Sequence, residues 1–92
     1  MNYEPKTPPP VLYHGTATKN VDSILKSGIL KGRRQYVHLS LDVETAQKVG
    51  KRHGKPYVFK IETFKMQEAG TKFYCADNGV WLVDFVPKEF LK

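Results

Sequence analysis

Leu12-Tyr13-His14-Gly15-Thr16 sets a phenol, an imidazole and a hydroxyl into a run that otherwise reads as a short strand. Arg34-Gln35-Tyr36-Val37-His38-Leu39-Ser40 and Asn78-Gly79-Val80-Trp81-Leu82 repeat the arrangement. A strand buried on both faces has no use for these polar tips. A strand at the edge of a pocket does, because its apolar residues face the core while its polar tips meet a ligand. The three stretches therefore point to a domain whose strands converge on a small-molecule site.

Outward from these stretches, the chain divides into short elements. Pro8-Pro9-Pro10 closes an extended lead-in over residues 1–10, which reads as polyproline II. Residues 11–92 read as the folded domain. Val11 to His14 begins the first strand. Thr18 or Asn20 is positioned to cap a helix carrying Val21, Ile24 and Leu25 on one face, with Gly28 as its stop. Ile29-Leu30 leads into the basic loop Lys31-Gly32-Arg33-Arg34, and Tyr36 to Ser40 is the second strand. Asp42 is a candidate N-cap for a helix through Val49, stopped by Gly50. Pro56 to Ile61 alternates as a strand. Thr63 is a candidate cap for a short helix through Ala69, ended by Gly70. Lys72 to Cys75 and Val80 to Val83 read as the last strands, joined by the turn Asp77-Asn78-Gly79. The segment from Val86 to Leu91 is expected to pack back on the sheet. The sum is an α+β domain of about five short strands and two or three short helices, without the strict alternation of a doubly wound sheet.

A chain of 92 residues fits one small domain, with one core and little surplus stability. The hydrophobic fraction of 40% and aromatic fraction of 12% support a folded chain over a disordered one. Lys and Arg number 15 against nine Asp and Glu, so the net charge of +6 suits an anionic partner: nucleic acid, a membrane surface or a phosphorylated ligand. The single cysteine, Cys75, permits neither an intramolecular disulfide nor a cysteine-based zinc site, which fits a reducing cytoplasm. It reads as a small buried residue rather than a nucleophile. No signal-like stretch and no long apolar run occurs, so a soluble, cytoplasmic protein that does not enter a membrane is expected.

Candidate chemistry falls on few residues. His14 ends a strand and precedes Gly15, which lets a ligand approach the backbone; Thr16 adds a hydroxyl. The imidazole suits a ribose hydroxyl or a phosphate, and equally a structural hydrogen bond. Arg33-Arg34 offers guanidinium forks matched to phosphate, or a solvated loop pair. If the first two strands are neighbours, His14 and His38 face one cleft. Two histidines without a third ligand at a familiar spacing do not make a zinc site, and no metal is expected. Paired carboxylates and glycine-rich phosphate loops are absent. Catalysis would then rest on cations, imidazoles and positioning. Lys48, Lys51, Arg52, His53 and Lys55 crowd the end of a helix. They exceed what a helix dipole needs and favour contact with a nucleic-acid backbone. Tyr74 and Trp81 read as core rather than as base-stacking residues.

Taken together, Leu12-Tyr13-His14-Gly15-Thr16, the R-x-x-V-H-L-S run from Arg34 to Ser40, the run from Thr45 to Gly54 and Asn78-Gly79-Val80-Trp81-Leu82 closely resemble the NAD-dependent RNA 2′-phosphotransferase family. The resemblance extends from Leu12 to Leu91. It implies an ADP-ribosyltransferase fold with a split β-sheet, NAD as co-substrate and RNA bearing a 2′-phosphate as partner. It implies removal of the 2′-phosphate left at a splice junction, as in tRNA splicing. The RNA phosphate attacks C1″ of the NAD ribose and nicotinamide leaves; the ribose 2″-hydroxyl then attacks phosphorus, giving 2′-OH RNA and ADP-ribose 1″,2″-cyclic phosphate.

Carried onto this chain, the family pattern makes Arg34 and His38 the catalytic residues, Arg34 meeting the phosphate in the second step. It sets Tyr13, His14, Gly15, Thr16 and Ser40 on NAD. Tyr36 stands where the family often has histidine. The family's N-terminal winged-helix lobe supplies an Arg-His pair and a further arginine to the RNA 2′-phosphate. Nothing before Leu12 matches it, so the chain is expected to be the C-terminal lobe. It would keep NAD contacts and depend on a separate N-terminal lobe for strong turnover. Three other functions stay open on the sequence: a stand-alone ADP-ribosyltransferase, a non-catalytic module binding NAD, ADP-ribose or RNA, and an inert remnant. The oligomeric state is not legible.

Overall fold

Strand β1, Leu12–Ala17, is buried at Leu12 and over Gly15 to Ala17, on both faces at its C-terminal end, with Tyr13 and His14 half-buried between. It pairs antiparallel with β4, Pro56–Ile61, in a register running from Leu12 opposite Ile61 to Ala17 opposite Pro56. The computed structural model describes residues 3–92. Among them, three α-helices and seven strands form, and the strands fall into three small antiparallel groups, one of three strands and two of two. The fold is thus a small α+β arrangement with a split sheet, as expected.

The second group joins β3, Val37–Leu39, to β6, Trp81–Val83, with β5, Tyr74–Cys75, on its other side. Asp77-Asn78-Gly79 turns between β5 and β6 as the sequence suggests. Gly79 takes a φ of 86°, the Ala76 amide donates to the Val80 carbonyl at 2.8 Å, and Asn78 Oδ1 accepts from the Val80 amide at 3.1 Å. The third group is a correction to the sequence reading. Ile29–Leu30 is strand β2 rather than a loop entry, and it pairs with β7, Phe85–Val86, where the segment from Val86 to Leu91, expected to pack back on the sheet, begins. Two residues are too few for a visible alternation, so only the partner strand reveals them.

Helix α1, Val21–Ser27, follows a 3-10 turn over Thr18–Asn20, and neither Thr18 nor Asn20 caps it with a side chain. Asn20 Nδ2 donates instead to Thr16 Oγ1 at 3.2 Å. Val21 and Ile24 pack on the core, whereas Leu25 is 52% exposed and does not share their buried face. Gly28 stops the helix as read, with φ 80° and its amide donating to the Ile24 carbonyl at 2.8 Å.

Helix α2, Val43–Lys51, is capped by Asp42 as read, its Oδ1 accepting from the Thr45 amide at 2.7 Å. Gly50 does not stop it. The helix runs on to Lys51, and Gly50 is a contact glycine: a Cβ there would lie 2.6 Å from the Thr16 carbonyl oxygen. Helix α3, Thr63–Glu68, has Glu62 rather than Thr63 at its N-cap. The buried Thr63 hydroxyl donates to the Pro9 carbonyl, and the Phe64 amide to the Pro10 carbonyl at 3.1 Å. Residues 3–10 of the Pro-rich lead-in form no helix or strand and lie along the domain, with the Lys6 amide donating to the Phe73 carbonyl at 2.8 Å.

The core gathers Leu12, Val37, Leu39, Phe59, Ile61 and Val83 from strands β1, β3, β4 and β6, Met66 from α3 and Phe73 from the segment before β5, with Trp81 beside them as expected. Each such side chain contributes roughly 1.5–3 kcal/mol on burial. Tyr74 and Cys75 are only half-buried. No helix among the described residues is long and apolar enough to cross a membrane.

Candidate functional site

Two backbone bonds bring the polar stretches together. The Tyr13 amide donates to the Ser40 carbonyl at 2.9 Å, and the Ser40 amide to the Tyr13 carbonyl at 2.7 Å. This isolated bridge holds the end of β3 against β1. It makes neighbours of two segments whose adjacency the sequence left conditional, and it sets His14 beside His38.

His14 Nδ1 lies 3.0 Å from the His38 carbonyl oxygen. A carbonyl only accepts, so Nδ1 carries the proton and Nε2 is left as an acceptor. The Arg34 guanidinium Nη1 hydrogen-bonds to His38 Nδ1. Guanidinium only donates, so the proton of His38 sits on Nε2, which is free to donate. One imidazole thus offers an acceptor and the other a donor. An acceptor suits a sugar hydroxyl, and a donor beside a guanidinium suits an anionic oxygen.

The electrostatics disfavour the charged form of both rings. Burial pushes the His14 pKa down; its bond to the His38 backbone opposes this, and repulsion from His38, when that ring is protonated, and from Arg34 adds to the lowering. His38 is lowered by its own partial burial and then by Arg34. The native state therefore disfavours protonating either ring, while the unfolded chain protonates near the ordinary histidine value of about 6.5. Stability from this source is complete above that value and is lost as pH falls below it. Thermal melts should show a falling midpoint between pH 7 and pH 5, and a His14→Gln variant should show a smaller fall. A slope that His14→Gln leaves unchanged would count against a half-buried His14 that resists protonation.

His14, Arg34, Tyr36 and His38 line a cleft of about 330 Å³, together with Thr16, Lys31 and His53. Arg34, Tyr36 and His38 also line a second cleft, of about 450 Å³. Each volume lies in the range of small-molecule sites. The first cleft carries hydroxyl, imidazole and cationic groups and no carboxylate, so its chemistry fits the ribose and diphosphate of a dinucleotide. Among the described residues, no three His, Cys, Asp or Glu side chains gather as metal ligands would.

Tyr13 and Ser40 line neither cleft; they supply the bridge. Gly15 borders the first cleft, but a Cβ on it would lie 1.7 Å from the Ala46 carbonyl oxygen of α2. Close approach is the reason for glycine here, and the approaching group is a helix. The basic cluster is exposed at the C-terminal end of α2, and His53 connects it to the mouth of the first cleft. Lys48 is partly engaged, 3.6 Å from Glu44, while Lys51, Arg52 and Lys55 have no carboxylate partner among the described residues. Sequence reasoning missed Lys31, Val49 and Asn20 as cleft residues. Lys31 had a signal in its basic loop. Asn20 looked like a cap, and Val49 like an ordinary helix residue.

Residues 1–85 match the family described as RNA 2′-phosphotransferase, Tpt1 / KptA family. The chain is 56% identical over 91 residues to a protein of Trichormus variabilis (strain ATCC 29413 / PCC 7937) named probable RNA 2′-phosphotransferase, covering 99% of this chain and 50% of that one. A protein of the same name from Nostoc punctiforme (strain ATCC 29133 / PCC 73102) is 58% identical over 92 residues, covering 100% and 51%. One from Pectobacterium carotovorum subsp. carotovorum (strain PC1) is 59% identical over 91 residues, covering 99% and 49%. The chain spans about half the length of the curated relatives it matches.

Proposed function

This chain belongs to the RNA 2′-phosphotransferase family, and from that premise we propose that it forms the NAD-binding half of an enzyme removing 2′-phosphate from RNA. The net change would convert NAD and 2′-phosphorylated RNA into 2′-OH RNA, nicotinamide and ADP-ribose 1″,2″-cyclic phosphate. NAD, when bound, supplies the activated sugar carbon that accepts the phosphate. The observation that carries the reading is the Arg34–His38 pair, shared by two clefts and tied through the His38 carbonyl to His14. A transfer between two substrates needs such a boundary.

In this reading His14 Nε2 accepts from a ribose hydroxyl, with Thr16 beside it. His38 Nε2 donates to an anionic oxygen, and Arg34 holds the phosphate as negative charge grows on it. Tyr13, Ser40 and Gly15 act at one remove, by keeping β1, β3 and α2 in place. Lys51, Arg52 and Lys55 extend a cationic track from His53 along which an RNA backbone can run, with Lys48 at its edge. A splice junction in tRNA is the proposed substrate, and the cytoplasm the proposed setting. The lone half-buried Cys75 is compatible with a reducing compartment.

The test is a product assay with the purified chain, NAD and a short RNA bearing one internal 2′-phosphate. It is repeated with the remaining half of the Trichormus variabilis relative added as a separate chain. The expected result is NAD binding by the chain alone, with cyclic phosphate made efficiently only when both halves are present. NAD binding without product in either mixture would favour a non-catalytic binding module. An ADP-ribosylated acceptor without cyclic phosphate would favour a different transferase.

A further inference from the structure

The second cleft differs in kind from the first. Its walls are the aromatic rings of Tyr3 and Tyr36 and the apolar side chains of Val80 and Leu82, with Asn78 also lining it. The Tyr36 ring is held from two sides. Tyr3 meets it edge-on at 6.5 Å between centroids, and Tyr74 lies tilted against it at 5.6 Å. A ring fixed in this way loses little freedom when a flat ligand covers it. Asn78 is oriented too. Its Oδ1 accepts from the Val80 amide at 3.1 Å, and no described residue accepts from its Nδ2. That amide nitrogen is left to donate outward. The cleft has no carboxylate, and its only lining cation is Arg34 at the boundary with the first cleft.

A planar, uncharged ligand with hydrogen-bond acceptors on its edge and an anionic group beside it matches this lining. That is the description of a nucleobase on a phosphorylated sugar. We infer that the second cleft holds the nucleobase of the 2′-phosphorylated nucleotide of the RNA, stacked on Tyr36, with Asn78 donating to its edge. The inference rests on the proposed function, which brings the RNA phosphate to Arg34. It adds a subsite that reads the substrate's base rather than its phosphate. The same site would favour nucleotides whose base can turn out of a helix, because a paired base cannot reach Tyr36.

The experiment is fluorescence anisotropy with labelled RNAs and the intact chain. Four RNAs are compared, with and without the 2′-phosphate and with and without the base at that nucleotide. Wild type, Tyr36→Phe, Tyr36→Leu and Asn78→Ala are each tested, after melting curves establish that they are folded. Removing the base should weaken binding by about 5- to 100-fold in wild type. Tyr36→Phe should retain that difference, Tyr36→Leu should abolish it, and Asn78→Ala, on an exposed turn, should reduce it. Equal binding of base-containing and abasic RNA overturns the inference. So does a base effect that Tyr36→Leu leaves intact, or no measurable binding of the base-containing RNA. The phosphate arms read the underlying function separately. If 2′-phosphate adds nothing to affinity while the base effect follows Tyr36, the base subsite stands and the phosphotransfer reading falls.

Discussion

Replacing Arg34 by alanine should lower formation of ADP-ribose 1″,2″-cyclic phosphate by at least about 100-fold in the reconstituted two-half assay, the scale of losing one preorganised donor to a charged transition state. The expectation follows from how the side chain is held. Its amide donates to the Lys31 carbonyl at 3.0 Å, closing the basic loop, and Lys31 Nζ lies 2.6 Å from Asp84 Oδ1 on the segment joining β6 to β7. The loop is therefore anchored at its start and runs directly into β3. The guanidinium spends one donor on His38 and has no carboxylate partner among the described residues, so its remaining donors are available to a phosphate. Arg34→Lys keeps the charge but loses the fork, and should recover only part of the activity. The substitution also carries a spectroscopic signature. Arg34 contributes to the lowered pKa of His38, after burial, so Arg34→Ala should move the His38 titration upward. Full product formation by Arg34→Ala would sink both the catalytic role and the shared-boundary argument.

Gly15→Ala should lower the melting midpoint by about 10 °C or more, and should do so without any ligand. An added Cβ would meet the Ala46 carbonyl oxygen at 1.7 Å and its carbon at 2.5 Å. Neither side can yield easily. On the strand side, β1 is locked to β4 along its whole length. On the helix side, Gly50 is already packed so closely that its own Cβ would lie 2.6 Å from the Thr16 carbonyl oxygen. Forcing extra atoms into such a contact costs about 1–3 kcal/mol and sometimes more. Each kcal/mol shifts the midpoint of a domain this size by about 4–8 °C. The competing explanation, a glycine kept only for a ligand, predicts an unchanged melting curve and lost NAD binding. Circular dichroism melts of the apo protein separate the two, and an unchanged midpoint would reject the helix-packing account. Because Gly15 also borders the first cleft, the same substitution should disturb ligand binding through the displaced strand.

The site and the fold were legible to different depths. His14, Arg34 and His38 stood out because charged and imidazole groups are unusual inside apolar, strand-like runs. Two of the three runs meet in the first cleft, and the third, from Asn78 to Leu82, lines the second cleft with Arg34 and His38 instead. Asp42 and Asn78-Gly79 were legible because a cap and a hairpin turn are made by residues within a few positions of one another. Strands β2 and β7 were not, because each is two residues long and gains its identity only from a partner more than 50 positions away. Leu25 misled for a related reason. Its spacing put it on the apolar face of a helix, but the helix is short and the core covers only the side bearing Val21 and Ile24.

Gly15 and Gly50 show where local reading ends. By itself the sequence determined which of the longer segments become strands or helices, where most of them stop, and that cations and imidazoles cluster in a few stretches. Those properties depend on periodicity, capping and turn chemistry acting over a handful of residues. Only the tertiary structure decided that Gly15 and Gly50 exist to let α2 lie against β1, that Tyr13 and Ser40 serve as a bridge, and that Arg34 and His38 stand between two clefts of different chemistry. The bond from His14 to His38 spans 24 positions and the one from Lys31 to Asp84 spans 53. Such contacts are selected by the burial of the whole core at once, a sum of many small terms that no single segment carries.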